Sequence, residues 1–460
     1  MVTRGVMKRF AWLWLAASSL LLISLACAET RPQYGGVLRV TTRTALMSLD
    51  PADDSQPDSF ARRSVTALLF DTLVNVGANG LQPALAESWQ NSTNSQRWLV
   101  RLRRGVKFQD GSPLTAEIVA SSVRAANPAW RVSTANDTVV IEGEGSENVP
   151  AELALPRNAI VKRSTNSQPM GTGSFRVADW QPGKKIALAA VEDCWRGRPY
   201  LDGIEIDMAR SFHDQQVALD LGKADLIEVA PEQAHRAWPE GRQIASSSPV
   251  ELVALLFAHD ATGPDDKSLR EALAYSVERG SIRSVLLQGA GQPTAAILPT
   301  WISGYGFVFS AETDLPRARK ARAQVKANPT WTLGYDGNDG LARVLAERIA
   351  LNARDAGLAL QPTTAATADL RILRIALPVG DPWMALSRVE ALTGISATKA
   401  KDNSPEDLYV AEQSALATQR VIPLFHLPVT YGSSATLKHW TLRPDGSWNI
   451  DNAWLVNAKP

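Results

Sequence analysis

The sequence predicts an α/β fold spread over more than one domain. The chain has 460 residues, against the ~100–200 of an ordinary domain. Residues 330 to 361 read as one strand, helix, strand unit. Trp331-Thr332-Leu333-Gly334-Tyr335 is followed by a Gly/Asp loop, a helix carrying Leu341, Val344, Leu345 and Ile349, an Ala356-Gly357 stop, and Leu358-Ala359-Leu360. A unit of this kind is a parallel crossover. Strand-like runs also alternate with helical patterns elsewhere, and 45% hydrophobic with 21% charged residues supports a large core.

Residues 1 to 28 read as a secretory signal peptide. Arg4, Lys8 and Arg9 precede an apolar run from 10 to 25 that is short for a membrane span, and Ala26-Cys27-Ala28 presents small residues for cleavage before Glu29. The alternative, a lipid anchor on Cys27, would want Leu three places earlier, where Ser24 stands. The free form is therefore favoured, and the expected location is the periplasm. Losing the three basic residues takes the formal charge from +1 to −2, which offers no basic stripe for nucleic acid. Cys194 is then the one remaining cysteine, so no internal disulfide is expected, and its Glu192-Asp193 neighbours do not suit a reactive thiolate.

Val37-Leu38-Arg39-Val40-Thr41 reads as a strand, and residues 53 to 79 as a helical pattern with Phe60, Val65, Leu68, Leu69 and Leu73. Residues 97 to 102 alternate, with Trp98, Val100 and Leu102 on one face and Arg97 and Arg101 on the other. Gly105 and Asp110-Gly111 supply turns, Thr115 an N-cap, and Asn127-Pro128 a helix stop. Residues 137 to 142 form a strand, and 168 to 173, with Pro169 and two glycines, a return loop. Runs at 174 to 177, 186 to 191 and 204 to 208 make a sheet. Helices follow at 213 to 221 and 231 to 238 around a strand at 224 to 229, and 250 to 259 is a buried strand. Residues 269 to 287 give the strongest helical stripe. Ser404-Pro405 starts a helix to 418, and 421 to 436 returns to strand.

Motifs for catalysis are missing. There is no G-x-S-x-G and no phosphate-cradling G-x-x-x-x-G-K-[ST]; Gly171-Thr172-Gly173-Ser174-Phe175 leads into a strand and is a backbone feature. His213, His235, His259, His426 and His439 are dispersed, without metal-ligand spacing. Asp53-Asp54 and Asp265-Asp266 sit in polar loops. The chain is expected to be no enzyme, to need no cofactor and to hold no metal.

The order of local signatures resembles one family, the solute-binding proteins of peptide- and nickel-class ABC importers (bacterial extracellular solute-binding proteins, family 5). The matching pieces are Tyr34-Gly35-Gly36-Val37-Leu38-Arg39-Val40 with Leu49-Asp50-Pro51, Pro83-Ala84-Leu85-Ala86-Glu87-Ser88-Trp89, and Leu102-Arg103-Arg104-Gly105-Val106-Lys107-Phe108-Gln109-Asp110-Gly111. Gly171-Thr172-Gly173-Ser174-Phe175, Trp195-Arg196-Gly197-Arg198-Pro199-Tyr200-Leu201 and Leu269-Arg270-Glu271-Ala272-Leu273-Ala274-Tyr275-Ser276-Val277-Glu278-Arg279 follow in the same order. The resemblance implies a two-lobed periplasmic-binding-protein-like fold, class II of the cluster C type, closing on a ligand. By position it places lobe I at 35–48, 171–248 and 426–460, a subdomain inserted in lobe I at 49–170, and lobe II at 249–425.

It also implies a monomer that binds a small-molecule or peptide ligand and hands it to an inner-membrane ABC permease. Carried over by position, Ala45, Leu46 and Met47 would line the cleft from lobe I, and Asp381, Trp383, Trp301 and Tyr305 from lobe II. Peptide-binding members hold the ligand's amino terminus with an Asp three places before the acidic residue of a D/E-P pair. Here the pair is Asp381-Pro382 and that place holds Pro378, so this anchor is missing. The stretch from Pro382 to the helix near Glu406 is also shorter than in relatives. An exported hydrolase or a sensor on the same scaffold is the alternative; the absent nucleophile and base count against the first.

Overall fold

Two long antiparallel strands organise the molecule. The computed structural model describes residues 31–77, 80–92, 97–143, 148–163, 168–397 and 404–456. The expected signal peptide and Cys27 lie outside these.

The chain enters through β1 (Val37–Thr41) and α1 (Phe60–Leu69), then forms a hairpin of β2 (Val74–Gly77) and β3 (Gly80–Pro83). A separate antiparallel sheet follows, ordered β4-β5-β7-β6, from β4 (Ala86–Asn91), β5 (Arg97–Leu102), β6 (Arg131–Ala135) and β7 (Thr138–Glu142), with α2 (Ala116–Ala126) packed on it. Next come β8 (Phe175–Gln181), β9 (Lys185–Ala190), β10 (Gly203–Asp207), α3 (Phe212–Asp220), β11 (Leu226–Val229) and β12 (Gln243–Phe257). The rest includes α4 (Pro264–Ser276), β13 (Gln292–Pro293), β14 (Thr330–Gly334), α5 (Gly340–Asp355), β15 (Ala359–Thr363), β16 (Leu370–Ala376), α6 (Pro382–Thr393), α7 (Pro405–Ala417) and β17 (Val421–Ser433).

One mixed sheet of 11 strands runs β15-β14-β16-β12-β17-β11-β1-β10-β9-β8, with β13 on β17. β12 and β17 sit at its centre. Their register shifts around Pro249, which faces Pro428, because neither proline can donate a ladder hydrogen bond. Leu252 and Ala254 point from β12 into one core, with Ile375, Leu386, Val389 and Leu408; Val253, Leu255 and Phe257 point into another, with Leu273, Leu345 and Phe425. Beyond the paired prolines, Tyr431 joins a third core of Leu38, Phe175, Ile204 and Trp448. The inserted sheet has its own core of Val100, Leu102, Phe108, Val119 and Ile141.

Much of the local reading holds. β5 buries Val100 and Leu102 and exposes Arg97 and Arg101, and Thr115 caps α2 by accepting from the Ile118 N–H. β14 pairs in parallel with β15 across α5.

Three readings are corrected. The helical pattern over 53 to 79 is only α1, followed by the β2–β3 hairpin. The helix stops at Leu69 because tertiary donors take its last carbonyls: Gln109 Nε2 at 2.8 Å and the Gly173 N–H at 3.1 Å both donate to Leu69 O. Gly171 and Gly173 are needed for that approach, since a Cβ on either would come within 2.3 Å of a carbonyl oxygen of Leu68 or Leu69. The stripe over 269 to 287 breaks after α4, where Val277 turns extended. Buried Arg279 then donates to Ala274 O at 3.0 Å and to Pro423 O, holding the break, and the chain resumes as a turn over Arg279–Ser281 and a π-helical stretch over Ile282–Leu286. The helix read at 231 to 238 is a single turn, Pro231–Gln233. α6 was not anticipated, although Asp381-Pro382 is an N-cap followed by proline at the first helical position.

Candidate ligand-binding cleft

A cleft of about 970 Å³ opens between the inserted segment and α6. One wall is α1, the β2–β3 hairpin, and the short segment around Ala151 to Arg157. The other is α6 with Pro378, Val379 and Gly380 in front of it, and the floor comes from residues 442 to 451 and Arg196.

The orientation of α6 follows from its ends. Asp381 Oδ1 accepts from the N–H groups of Trp383 at 2.7 Å and Met384 at 3.2 Å, while Asn148 of the opposite wall donates to Oδ2. Ala385, Leu386 and Val389 bury the inner face. That leaves Met384, Ser387, Arg388, Ala391 and Leu392, spaced as one helical face, to line the cleft.

Arg63 on α1 is the tightest tie between the walls. It is 3% exposed, and donates to Asp58 (Nη2 to Oδ2, 2.5 Å), to the carbonyls of Ala376 and Leu377 beside α6, and to Asp445 O in the floor. Burial pushes the Asp58 carboxyl up, but the charge and hydrogen bonds of Arg63 outweigh it and hold the group below its usual range. Nearby, Arg196 pairs with Asp71 at 3.0 Å and Arg443 with Asp451 at 3.1 Å. Arg157 pairs with Glu152. Arg62 spends its terminal nitrogens on the carbonyls of Asp50, Pro51, Asp53 and Gln56. Arg388 has no hydrogen-bond or ion-pair partner among the described residues.

Outside the cleft a second polar cluster joins the turn after β1 to the strands and helix beyond β12. Arg374 grips Glu251 at 2.6 and 3.0 Å and Asp339 at 3.0 Å, and Arg43 reaches Asp339 at 3.7 Å. Asp339 also caps α5. Among the described residues no group of three or more His, Cys, Asp or Glu could hold a metal ion.

The residues expected from sequence are distributed around the cleft. Ala45 is exposed, Leu46 is 3% exposed within the core of β1, and Met47 is 61% exposed. None of the three is in the lining, though the Met47 N–H donates to Gln56, which is. Asp381 caps α6 rather than facing the space. Trp383 and Tyr305 pack half-buried on the core under α6 and α7, with the Tyr305 ring edge-on to Tyr409 at 5.5 Å. Trp301, 43% exposed, donates from Nε1 to Pro249 O at 2.8 Å. The structure thus brings Trp383 and Tyr305 to one core and leaves the 45–47 turn apart from them.

Sequence reasoning placed no cleft residue on α1 and passed over Arg63, Arg388 and the 442–451 floor. The Arg62-Arg63 pair inside an otherwise apolar helix was the available signal for the first wall; nothing local marked the floor.

A family model described as bacterial extracellular solute-binding proteins, family 5 Middle, matches residues 80–374, well over half the chain. A nickel-binding protein of Staphylococcus aureus is 27% identical over 232 residues, spanning 47% of this chain and 47% of that relative. Heme-binding protein A of Haemophilus influenzae is 23% identical over 390 residues, covering 72% of this chain and 70% of that one. Among solved structures, the periplasmic binding protein DppA of Helicobacter pylori in complex with the peptide STSA has a TM-score of 0.77 at 17% identity, covering 93% of this chain and 99% of that chain. The fold is therefore that of two-lobed periplasmic binding proteins, and the chain belongs to the bacterial extracellular solute-binding proteins, family 5.

Proposed function

We propose that the chain captures a small organic or peptide-like solute in this cleft and delivers it to an inner-membrane ABC permease, acting as an exported monomer with no chemistry and no nucleic-acid role of its own. The observation that carries the reading is that the cleft's walls belong to different cores: α1 and the floor pack with β1, α6 with the far half of β12. A few polar ties bridge them. Walls built on separate cores can part by small adjustments in connecting strands, which is how hinge closure works. The paired prolines on β12 and β17 lie where the cores change, in keeping with lobe I at 35–48, 171–248 and 426–460, the insert at 49–170 and lobe II at 249–425.

In this reading Asp381 acts through its cap, Trp383, Tyr305 and Trp301 support the second wall, and Ala45, Leu46 and Met47 back the rim through Gln56. The relatives include nickel-binding, heme-binding and peptide-bound proteins, so the ligand is to be found by capture. Native mass spectrometry of the protein purified gently from its own host should show a retained compound of defined mass. A protein that stays empty both from the host and after exposure to host extract would overturn the reading.

A further inference from the structure

We infer that the ligand is an organic anion whose acid group is held by Arg388. This rests on the cleft being the solute site and adds the ligand's chemical class.

Six arginines line the cleft. Arg63, Arg157, Arg196 and Arg443 are each paired with a carboxylate, and Arg62 is saturated by four backbone carbonyls. Arg388 alone among them has neither kind of partner in the described residues. Asp58 is close enough to attract it electrostatically, but both Asp58 oxygens already accept from Arg63, at 3.0 Å to Nε and 2.5 Å to Nη2. The other interior carboxylates of the lining each accept a hydrogen bond as well, although Asp451 Oδ1 is buried without a partner of its own. Asp71 accepts from Arg196, Thr172 and Trp195, Glu152 from Arg157 and Asn158, Asp451 from Arg443, and Asp445 from Ser447. Asp54 remains, exposed on the outer loop at the rim, where water can satisfy it.

Placement strengthens the case. Arg388 sits at the middle of the lining face of α6, half-buried, with Met384 one turn before it and Ala391 and Leu392 one turn after. Its neighbour in sequence, Ser387, also lines the cleft. A planar guanidinium with its donors free, framed by apolar side chains, fits a carboxylate or phosphate in two-pronged fashion. The interior carboxylates Asp58, Asp71, Glu152 and Asp451 are each already ion-paired with an arginine, which leaves them little net attraction for an ammonium group.

The test uses the full mature chain and three probes: a water-soluble extract of bacterial cells, the same extract with its carboxylates methyl-esterified, and the same extract treated with phosphatase. Native mass spectrometry reads the bound fraction for wild type, Arg388→Gln and Arg388→Lys. Because Arg388 bonds to nothing in the fold, both variants should unfold at the wild-type temperature. The expected result is capture by wild type from untreated extract, a loss of about tenfold or more in one treated extract and in Arg388→Gln, and partial recovery in Arg388→Lys. Loss with the esterified extract assigns a carboxylate; loss with the phosphatase-treated extract assigns a phosphate. Equal capture from all three extracts, or by Arg388→Gln, would refute the anion while leaving the cleft as the binding site. No capture from any extract would refute the site itself.

Discussion

Glu412 on α7 and His426 on β17 grip one peptide unit from two sides. Glu412 Oε1 accepts from the N–H groups of Ile297 at 2.5 Å and Leu298 at 3.0 Å, and His426 Nε2 donates to Ile297 O at 3.0 Å. The other Glu412 oxygen and the Tyr305 hydroxyl are buried neighbours with no other partner. Burial pushes Glu412 up to about 7 and His426 down to about 4. The two act oppositely on stability. Glu412's folded pKa lies above its unfolded value of ~4.3, so its contribution is complete below that pH and is lost as pH rises toward 7. His426's lies below its unfolded ~6.5, so its contribution is present above that pH and is lost as pH falls toward 4. Each slope is at most ~1.4 kcal/mol per pH unit, and they offset one another between roughly pH 4.5 and 6.5. Glu412→Gln keeps the acceptor and removes one slope. Urea unfolding of that variant should show stability rising with pH across this window while wild type stays flat, and should exceed wild type at pH 8; parallel curves would refute the assignment. Neither group was legible in the sequence, where five scattered histidines look alike until folding buries one of them.

At the scale of elements, what could be read depended on whether the stop signal was local. β5, α2, α5 and α7 begin or end on residues that act on their own backbone, such as Thr115, Asn127-Pro128, Asp339 and Ser404. α1 and α4 end on tertiary donors, Gln109, Gly173 and Arg279, far away in sequence or turned back on the helix, so periodicity ran past their true ends. Gln109 also exchanges hydrogen bonds with the Gly171 backbone and donates to Phe175 O at 2.6 Å. Two of the family signatures are thus physically one clip at the end of α1. α6 does carry a local start signal, and it makes a prediction. Asp381→Ala should cost ~1 kcal/mol through the lost cap, whereas Asp381→Asn, which can still accept from the Trp383 and Met384 N–H groups, should lose only a few tenths of that kind of energy. Chemical denaturation of the two variants checks the order, and equal losses would mean that the tie to Asn148, not the cap, is what matters.

At the scale of the whole molecule, the cleft is assembled from residues near 54 to 82, 151 to 159, 378 to 392 and 442 to 451. No spacing rule connects such distant pieces. The order of family signatures conveyed the two-lobed plan, and physical reading of single segments conveyed most strands, but the lining had to be seen in three dimensions. That is why the apolar 45–47 turn drew attention while Arg63 and Arg388 did not. Hydrogen exchange measured by mass spectrometry, with and without the compound the protein retains from host extract, tests the location most directly. The cleft account predicts slowed exchange in α1 and the β2–β3 hairpin, around residues 149 to 157, and in α6. Protection confined to the 45–47 turn and the 301–305 loop, with α1 and α6 unchanged, would contradict it.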